Sequence, residues 1–237
     1  MSINIKYYFS KFDGFPFPEL FEGISKTYEI SPKAAILIEE KVTKPDLREN
    51  KGETPGGTPN LHGNYFIGEG TVIYSDATII GPVYIGKNCK IMPGALIRPN
   101  TIIADGCHVG HGSEIKASVL LKGAKVASLS FVGDSVLGAS SRIGSGVVTA
   151  NRKFNQSNAT LKVDGERIDL QADFFGCILG DSSRLGANVV TQPGTHIGPY
   201  TWIYPLTNVR GFIPANMRVY AKVELEMEDN EKLELNP

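Results

Sequence analysis

Stepping through the chain six residues at a time from Ile67 meets Ile67, Ile73, Ile79, Ile85, Ile91, Ile97, Ile103, Val109, Ile115 and Leu121 without an exception. Four residues after each aliphatic stands a small or branched side chain: Thr71, Ala77, Val83, Cys89, Ala95, Thr101, Cys107, Ser113, Val119. Glycine often follows directly, as in Ile67-Gly68, Ile85-Gly86 and Val109-Gly110. A period of six is neither the 3.6 of a helix nor the 2 of a strand. It is an internal repeat, and a fixed repeat marks a chain that stacks one turn on the last.

Three such repeats per turn describe a hexapeptide parallel β-helix, with short strands along the sides of a triangular coil of about 18 residues. The expected fold class is therefore all-β, a parallel β-helix with a small N-terminal helical cap. Stacking by eighteen puts Ile67, Ile85, Ile103 and Leu121 in one inward column and Ile79, Ile97 and Ile115 in another. Each inward aliphatic is worth roughly 1.5–3 kcal/mol on burial. Cys89 and Cys107 share a column, one strand spacing of about 4.8 Å apart; they read as small core residues rather than as a disulfide. After Leu121 the pattern resumes out of phase at Leu137 and Ile143, so an interruption of the core is expected over 124–134. From Leu179 the repeat returns through Leu185, Thr191, Ile197, Ile203 and Val209.

The remaining segments are irregular. Residues 151–176 are polar, with a turn expected at Asp164-Gly165, and form a loop inserted in the solenoid. Residues 1–50 hold two short helices, at Pro18-Glu-Leu-Phe and from Ser31-Pro-Lys, each opened by proline. They are expected to cover the open N-terminal edge of the stack. The Gly/Pro/Thr-rich 51–62 reads as a linker, 63–210 as the β-helix and 211–237 as an arm ending in acidic residues.

Composition narrows the function. A formal net charge of −1 in 237 residues gives no footing for nucleic acid. No window reaches the roughly 18 apolar residues of a membrane span, and the N-terminus lacks the apolar stretch of a signal peptide. Three cysteines without metal-site spacing suit a reducing compartment, so a cytoplasmic location is expected. The histidines are His62, His108, His111 and His196. His108 and His111 straddle a corner and do not supply the three convergent ligands a zinc site needs, so no metal is expected. His108 reads as structural and His196 as a surface residue. Arg98 and Lys116, each following a core isoleucine and eighteen apart, should stack on the outer face. Two cations one strand spacing apart repel. Either they splay into solvent beside Glu114, or an anion such as phosphate or carboxylate lies between them.

Several motifs together carry a resemblance. Ala95-Leu-Ile-Arg-Pro-Asn, Gly106-Cys-His-Val-Gly, Ser113-Glu-Ile-Lys, Leu129-Ser-Phe-Val-Gly-Asp134, Ile143-Gly-Ser-Gly and Phe175-Gly-Cys-Ile-Leu-Gly-Asp181 follow in order, with Val163-Asp-Gly-Glu-Arg-Ile-Asp169 inside the loop. Over about 64–210 the chain resembles the acetyltransferase half of bifunctional sugar-1-phosphate nucleotidyltransferase/acetyltransferases, closest to the archaeal type. The resemblance implies a left-handed coil, acetyl-coenzyme A or another acyl-coenzyme A as co-substrate, a glucosamine-1-phosphate-like or nucleotide-linked amino sugar as acceptor, and a homotrimer. It assigns Arg98 and Lys116 to the phosphate, Asn151 and Phe131 to the sugar pocket, and Ser145, Ala187 and Pro205 to the coenzyme. No strand–Gly-rich loop–helix precedes the repeats, so nucleotidyl transfer is not expected of this chain.

One position departs from the pattern. Where the family has a histidine base followed three residues later by tyrosine, this sequence has Ser128 and Phe131, and Arg142 stands where asparagine is frequent. Serine is no base near neutral pH, and losing a general base costs about 10²–10⁴-fold. Two readings follow: an N-acyltransferase that uses another base, His111 being the candidate, or an impaired relative that binds a sugar phosphate as sensor or partner subunit. The retained cation pair and long loop favour the enzyme.

Overall fold

The computed structural model describes residues 3–12, 15–163, 165–222 and 224–227. It is a left-handed parallel β-helix whose three sides are sheets of nine, eight and eight strands. In each coil the chain passes from the first sheet (as at Tyr65–Ile67) to the second (Val72–Ile73) and the third (Thr78–Ile80). Ile67, Ile85 and Ile103 stack in register in the first sheet, and Ile79, Ile97 and Ile115 in the third. All are fully buried in one continuous core. Cys89 and Cys107 belong to it as free thiols, donating to the Ala104 and Leu121 carbonyls.

The count slips earlier than the pattern of aliphatics suggests. Ile103 pairs with Leu120, not Leu121, and Leu120 with Leu137. These coils are one residue shorter, because the corner between third and first sheets, Pro99-Asn100 in the coil before, is reduced to Ala117 and then to Asp134. Both turn with positive φ, 45° and 48°. Residues 124–134 do not interrupt the core: Lys125–Val126 and Phe131–Gly133 are regular strands, paired on both sides. Leu121 points out of the solenoid and packs beneath the N-terminal segment.

That segment does not close the end of the stack. Helices Ile5–Tyr8 and Ile30–Ile38 and the short helical turn Pro18–Phe21 lie along the outer face of the first sheet. The face calls for cover because its outward column, with Tyr84, Ile102, Val119, Val136, Ile178 and Phe212, is apolar. His196 belongs to the same column and is fully buried, correcting its expected surface position. The segment spans many coils: Tyr8 accepts from Asp181 N–H, and Leu47 accepts from Tyr65 N–H. The stack's N-terminal end is made by Arg48–Asn50, paired with Tyr65–Ile67. Glu53 N–H donates to Thr71, so the expected linker is the irregular side of a first coil. At the other end Phe212–Ile213 and Arg218–Val219 still pair in register, beyond the expected limit at 210. The acidic end of the expected arm, 228–237, lies outside the described residues.

The insertion 151–176 is partly ordered by its own hairpin, Thr160–Val163 against Glu166–Asp169. Gly165 takes φ +87° in its turn; Asp164 lies outside the described residues. Ala159, Leu161, Leu170 and Phe175 bury with the N-terminal segment, which anchors the hairpin beside the first sheet. Among the described residues no helix is long and apolar enough to cross a membrane.

Candidate functional site

The predicted residues fall into two groups at opposite ends of the third sheet. The first is at the corner leading to the first sheet. Arg98 and Lys116 occupy successive coils there, as expected, but each has its own carboxylate. Arg98 Nη1 lies 2.6 Å from Glu114 Oε1, and Lys116 Nζ lies 3.2 Å from Asp134 Oδ2. The repulsion argument therefore does not by itself require an external anion. Asp134 Oδ2 also accepts from Asn151 Nδ2 at 2.6 Å, so Lys116, Asp134 and Asn151 form one half-buried network.

Aromatic side chains wall this network. Lys116 Nζ and the Arg152 guanidinium both lie 4.5 Å from the Phe174 ring centre, within cation–π range. Phe131 approaches from the strand below. A Cβ on Gly133 would stand 2.7 Å from Phe131 Cζ and 2.8 Å from Asn151 Nδ2, so only glycine lets the two side chains meet over the backbone. Glu114, Asp134, Arg152 and Phe174 were not among the predicted site residues. Asp134 was visible in the Gly-Asp motif, whereas Phe174 sits at the far end of the irregular insertion, where no period marks its place.

The second group lies at the corner between second and third sheets. His111, Ser128, Ser145, Ala187 and Pro205 occupy equivalent positions in successive coils. Leu129 N–H donates to His111, Gly146 to Ser128, Asn188 to Ser145 and Leu206 to Ala187. The five predicted catalytic and coenzyme positions thus form one straight ridge. Among the described residues, the N–H groups of His111, Ser128, Ser145 and Ala187 have no partner, which leaves a row of free donors along it. His111 Nδ1 lies 2.7 Å from the Pro93 carbonyl. A carbonyl only accepts, so Nδ1 carries a proton, which leaves Nε2 as the ring nitrogen without a hydrogen-bond partner among the described residues, one rung from Ser128.

Beside the ridge the outer face of the second sheet carries Lys90, His108, Lys125, Arg142 and Arg184 on successive rungs. A cleft of about 440 Å³, lined by Lys90, His108, Lys125 and Arg142, reaches Ser128. Burial, and then the charges of Lys125, Lys90 and Arg142, hold the His108 imidazole below its ordinary pKa. His108 is thus kept neutral among cations on a strand face, away from His111 at the corner. Among the described residues no group of three or more His, Cys, Asp or Glu side chains is placed to hold a metal.

The fold is that of a hexapeptide-repeat left-handed β-helix, and the known proteins the chain matches in sequence include acetyltransferases. The model of the GMPPB C-terminal domain matches residues 79–192. The chain is 37 % identical over 165 residues to the bifunctional protein GlmU of Methanococcus vannielii, covering 70 % of this chain and 40 % of that protein. It is 39 % identical over 152 residues to a bifunctional sugar-1-phosphate nucleotidylyltransferase/acetyltransferase of Sulfurisphaera tokodaii, covering 62 % and 38 %. It is 36 % identical over 152 residues to the putative uncharacterized acetyltransferase YaiX of Escherichia coli K12, covering 64 % and 66 %. The chain is a relative of these acetyltransferases, resembling the acetyltransferase domain of the bifunctional enzymes, and spans about two-fifths of those enzymes' length.

Proposed function

We propose that the protein transfers an acyl group from an acyl-coenzyme A, acetyl-coenzyme A in the first instance, to the amine of a phosphorylated or nucleotide-linked amino sugar. The amine attacks the thioester carbonyl, the C–N bond forms as the C–S bond breaks, the thiol leaves with a proton, and the amine gives up one. The observation that supports this reading is the pairing of a cationic corner, Arg98 and Lys116, with a donor-lined ridge on the same sheet. Lys116 and Arg98 would hold the phosphate, with Asn151, Phe131 and Phe174 around the sugar. The free N–H of Ser128 suits the oxyanion of the tetrahedral intermediate. Ser145, Ala187 and Pro205 lie where an extended coenzyme arm would follow the ridge. His111 Nε2 is the group able to accept the proton.

Within one chain Lys116 and Ser128 stand at opposite ends of a coil side, up to about 20 Å apart at strand rise. A site using both groups is completed more economically between chains, the ridge of one against the corner of the next, which a homotrimer repeats three times. A second reading, a binding subunit without turnover, is favoured by one observation: Ser128 supplies no base.

The test is thiol release from acetyl-coenzyme A with and without glucosamine 1-phosphate, on the wild type, Ser128→His and Lys116→Ala. Sugar-dependent turnover that Lys116→Ala abolishes supports acyl transfer. A silent wild type beside an active Ser128→His variant supports the binding reading. Silence of both although the sugar phosphate binds directs the assay to nucleotide-linked amino sugars and other acyl donors.

A further inference from the structure

A second cationic site lies farther along the corner that carries Lys116. Lys162 and Arg167 project from the inserted hairpin, Lys153 from its base, and Arg210 from the rim of the third sheet. Together they line a groove of about 890 Å³ with Gln192 and Asn208 on its floor. No carboxylate lines it among the described residues. Lys162 and Arg167 are directly opposite each other in the hairpin ladder. Like charges in that relation destabilise a hairpin. Elsewhere on this corner the fold answers each cation with a carboxylate, Glu114 for Arg98 and Asp134 for Lys116. Among the described residues Lys162, Arg167 and Arg210 have none, and Lys153 spends one donor on the Asn158 carbonyl.

The groove is separate from the Lys116 network. Lys116 pairs with Gly133, the next rungs carry Ala150 and Gln192, and Arg210 follows. Gln192 is therefore three rungs from Lys116, about 14 Å. A ligand seated there must be anionic enough to satisfy four cations. It must also be large enough to fill a space in the upper range of small-molecule sites. The amides at the floor add neutral donors and acceptors, since Gln192 Nε2 donates to Asn208 Oδ1 and leaves the Asn208 amide hydrogens free.

The geometry points to a binding site for a nucleoside 5′-diphosphate, its phosphates between the hairpin and Arg210 and its nucleoside along the floor. Two co-substrates of the proposed reaction contain this group, a nucleotide-linked amino sugar and coenzyme A itself. Which of them supplies it rests on the acyl-transfer reading, whereas binding of the diphosphate does not.

Calorimetric titration of the full chain with UDP, ADP, coenzyme A and inorganic pyrophosphate tests this. The wild type should bind a nucleoside diphosphate with an affinity that falls as salt rises. Lys162→Glu/Arg167→Glu should weaken it at least tenfold, while Lys44→Glu, at an exposed lysine that does not line the groove, leaves it unchanged. These hairpin side chains are exposed, and Arg210→Gln, on a different element, repeats the test without disturbing the hairpin. UDP binding without coenzyme A binding identifies the acceptor's nucleotide, and coenzyme A binding lost in the same variants identifies the donor's. Absence of any diphosphate binding by the wild type, binding indifferent to both sets of variants, or pyrophosphate binding as tightly as the nucleotides would each overturn the assignment.

Discussion

Acid should loosen this protein through His196, and the size of the effect follows from where the ring sits. His196 is fully buried between the N-terminal segment and the insertion, stacked on Phe175 at 5.6 Å and edge-on to Tyr8. Nδ1 donates to the Gly194 carbonyl at 2.9 Å, and Nε2 accepts from the Thr27 hydroxyl at 2.8 Å. Burial pushes its pKa from 6.5 down to about 4, so the fold holds the neutral ring. The unfolded chain binds the extra proton first, and stability therefore falls as pH drops from about 6.5 toward 4. The full difference is about 3 kcal/mol, of which about 2 kcal/mol is lost by pH 5. His196→Gln keeps a donor and an acceptor but does not titrate. Urea unfolding followed by circular dichroism, at pH 7.5 and pH 5, isolates the effect because every other group titrates in both proteins. The wild type should lose about 2 kcal/mol more than the variant between the two pH values. Parallel losses would show that the ring is already accessible to protons in the native state, and would refute the argument.

Four further outcomes are expected. Gly133→Ala should displace Phe131 or Asn151 and raise KM for the acceptor, with little change in KM for the acyl donor, measured in the thiol-release assay. His111→Gln should lower kcat by about 10²–10⁴-fold if His111 takes the proton, while His108→Gln on the neighbouring face leaves kcat near wild type. Leu120→Ala should destabilise the solenoid by about 2–5 kcal/mol in urea unfolding, as expected for a truncated core leucine. Cys89, Cys107 and Cys177 are buried, so all three thiols should stay unreactive toward a disulfide reagent until the protein is denatured.

The solenoid was legible because its code is local: each hexad carries its own inward aliphatic, and no long-range knowledge is needed to count them. The slip was misplaced for an equally local reason. Leu120 and Leu121 are both leucine, and only the length of the corner at Ala117 decides which one turns inward. The placement of the first 47 residues was hidden differently. The column that calls for cover runs through Tyr84, Ile102 and Val119, each one residue or less from a position already explained as core. His196 was misread with it, since its burial comes from Thr27 and Phe175, far away in sequence. In the candidate site, Lys116, Phe131 and Asn151 stand out by their motifs, and the structure brings them together. Their grouping depends on Asp134, Gly133 and Phe174, and Phe174 reaches Lys116 only because a loop of unpredictable path returns to the same corner.

A regular β-helix presents three flat faces, and a flat face offers a small molecule little concavity. Binding features must then arise where regularity fails, and here the failures share one corner. Ala117 and Asp134 shorten it in successive coils, Asp134 turning with positive φ as its carboxylate faces Lys116 and Asn151. Past Asn151 the chain leaves the stack and builds the hairpin that lines the second groove. Removing the insertion would leave Lys116 without Phe174 and Arg210 without Lys162 and Arg167, and the third sheet would return to a plain surface. The ridge through Ser128 is the complement of this arrangement. It is straight, keeps its backbone donors free, and is walled only on the side of the second sheet, by Lys125 and Arg142, so a ligand lying along it would have to be held from the third-sheet side by another surface.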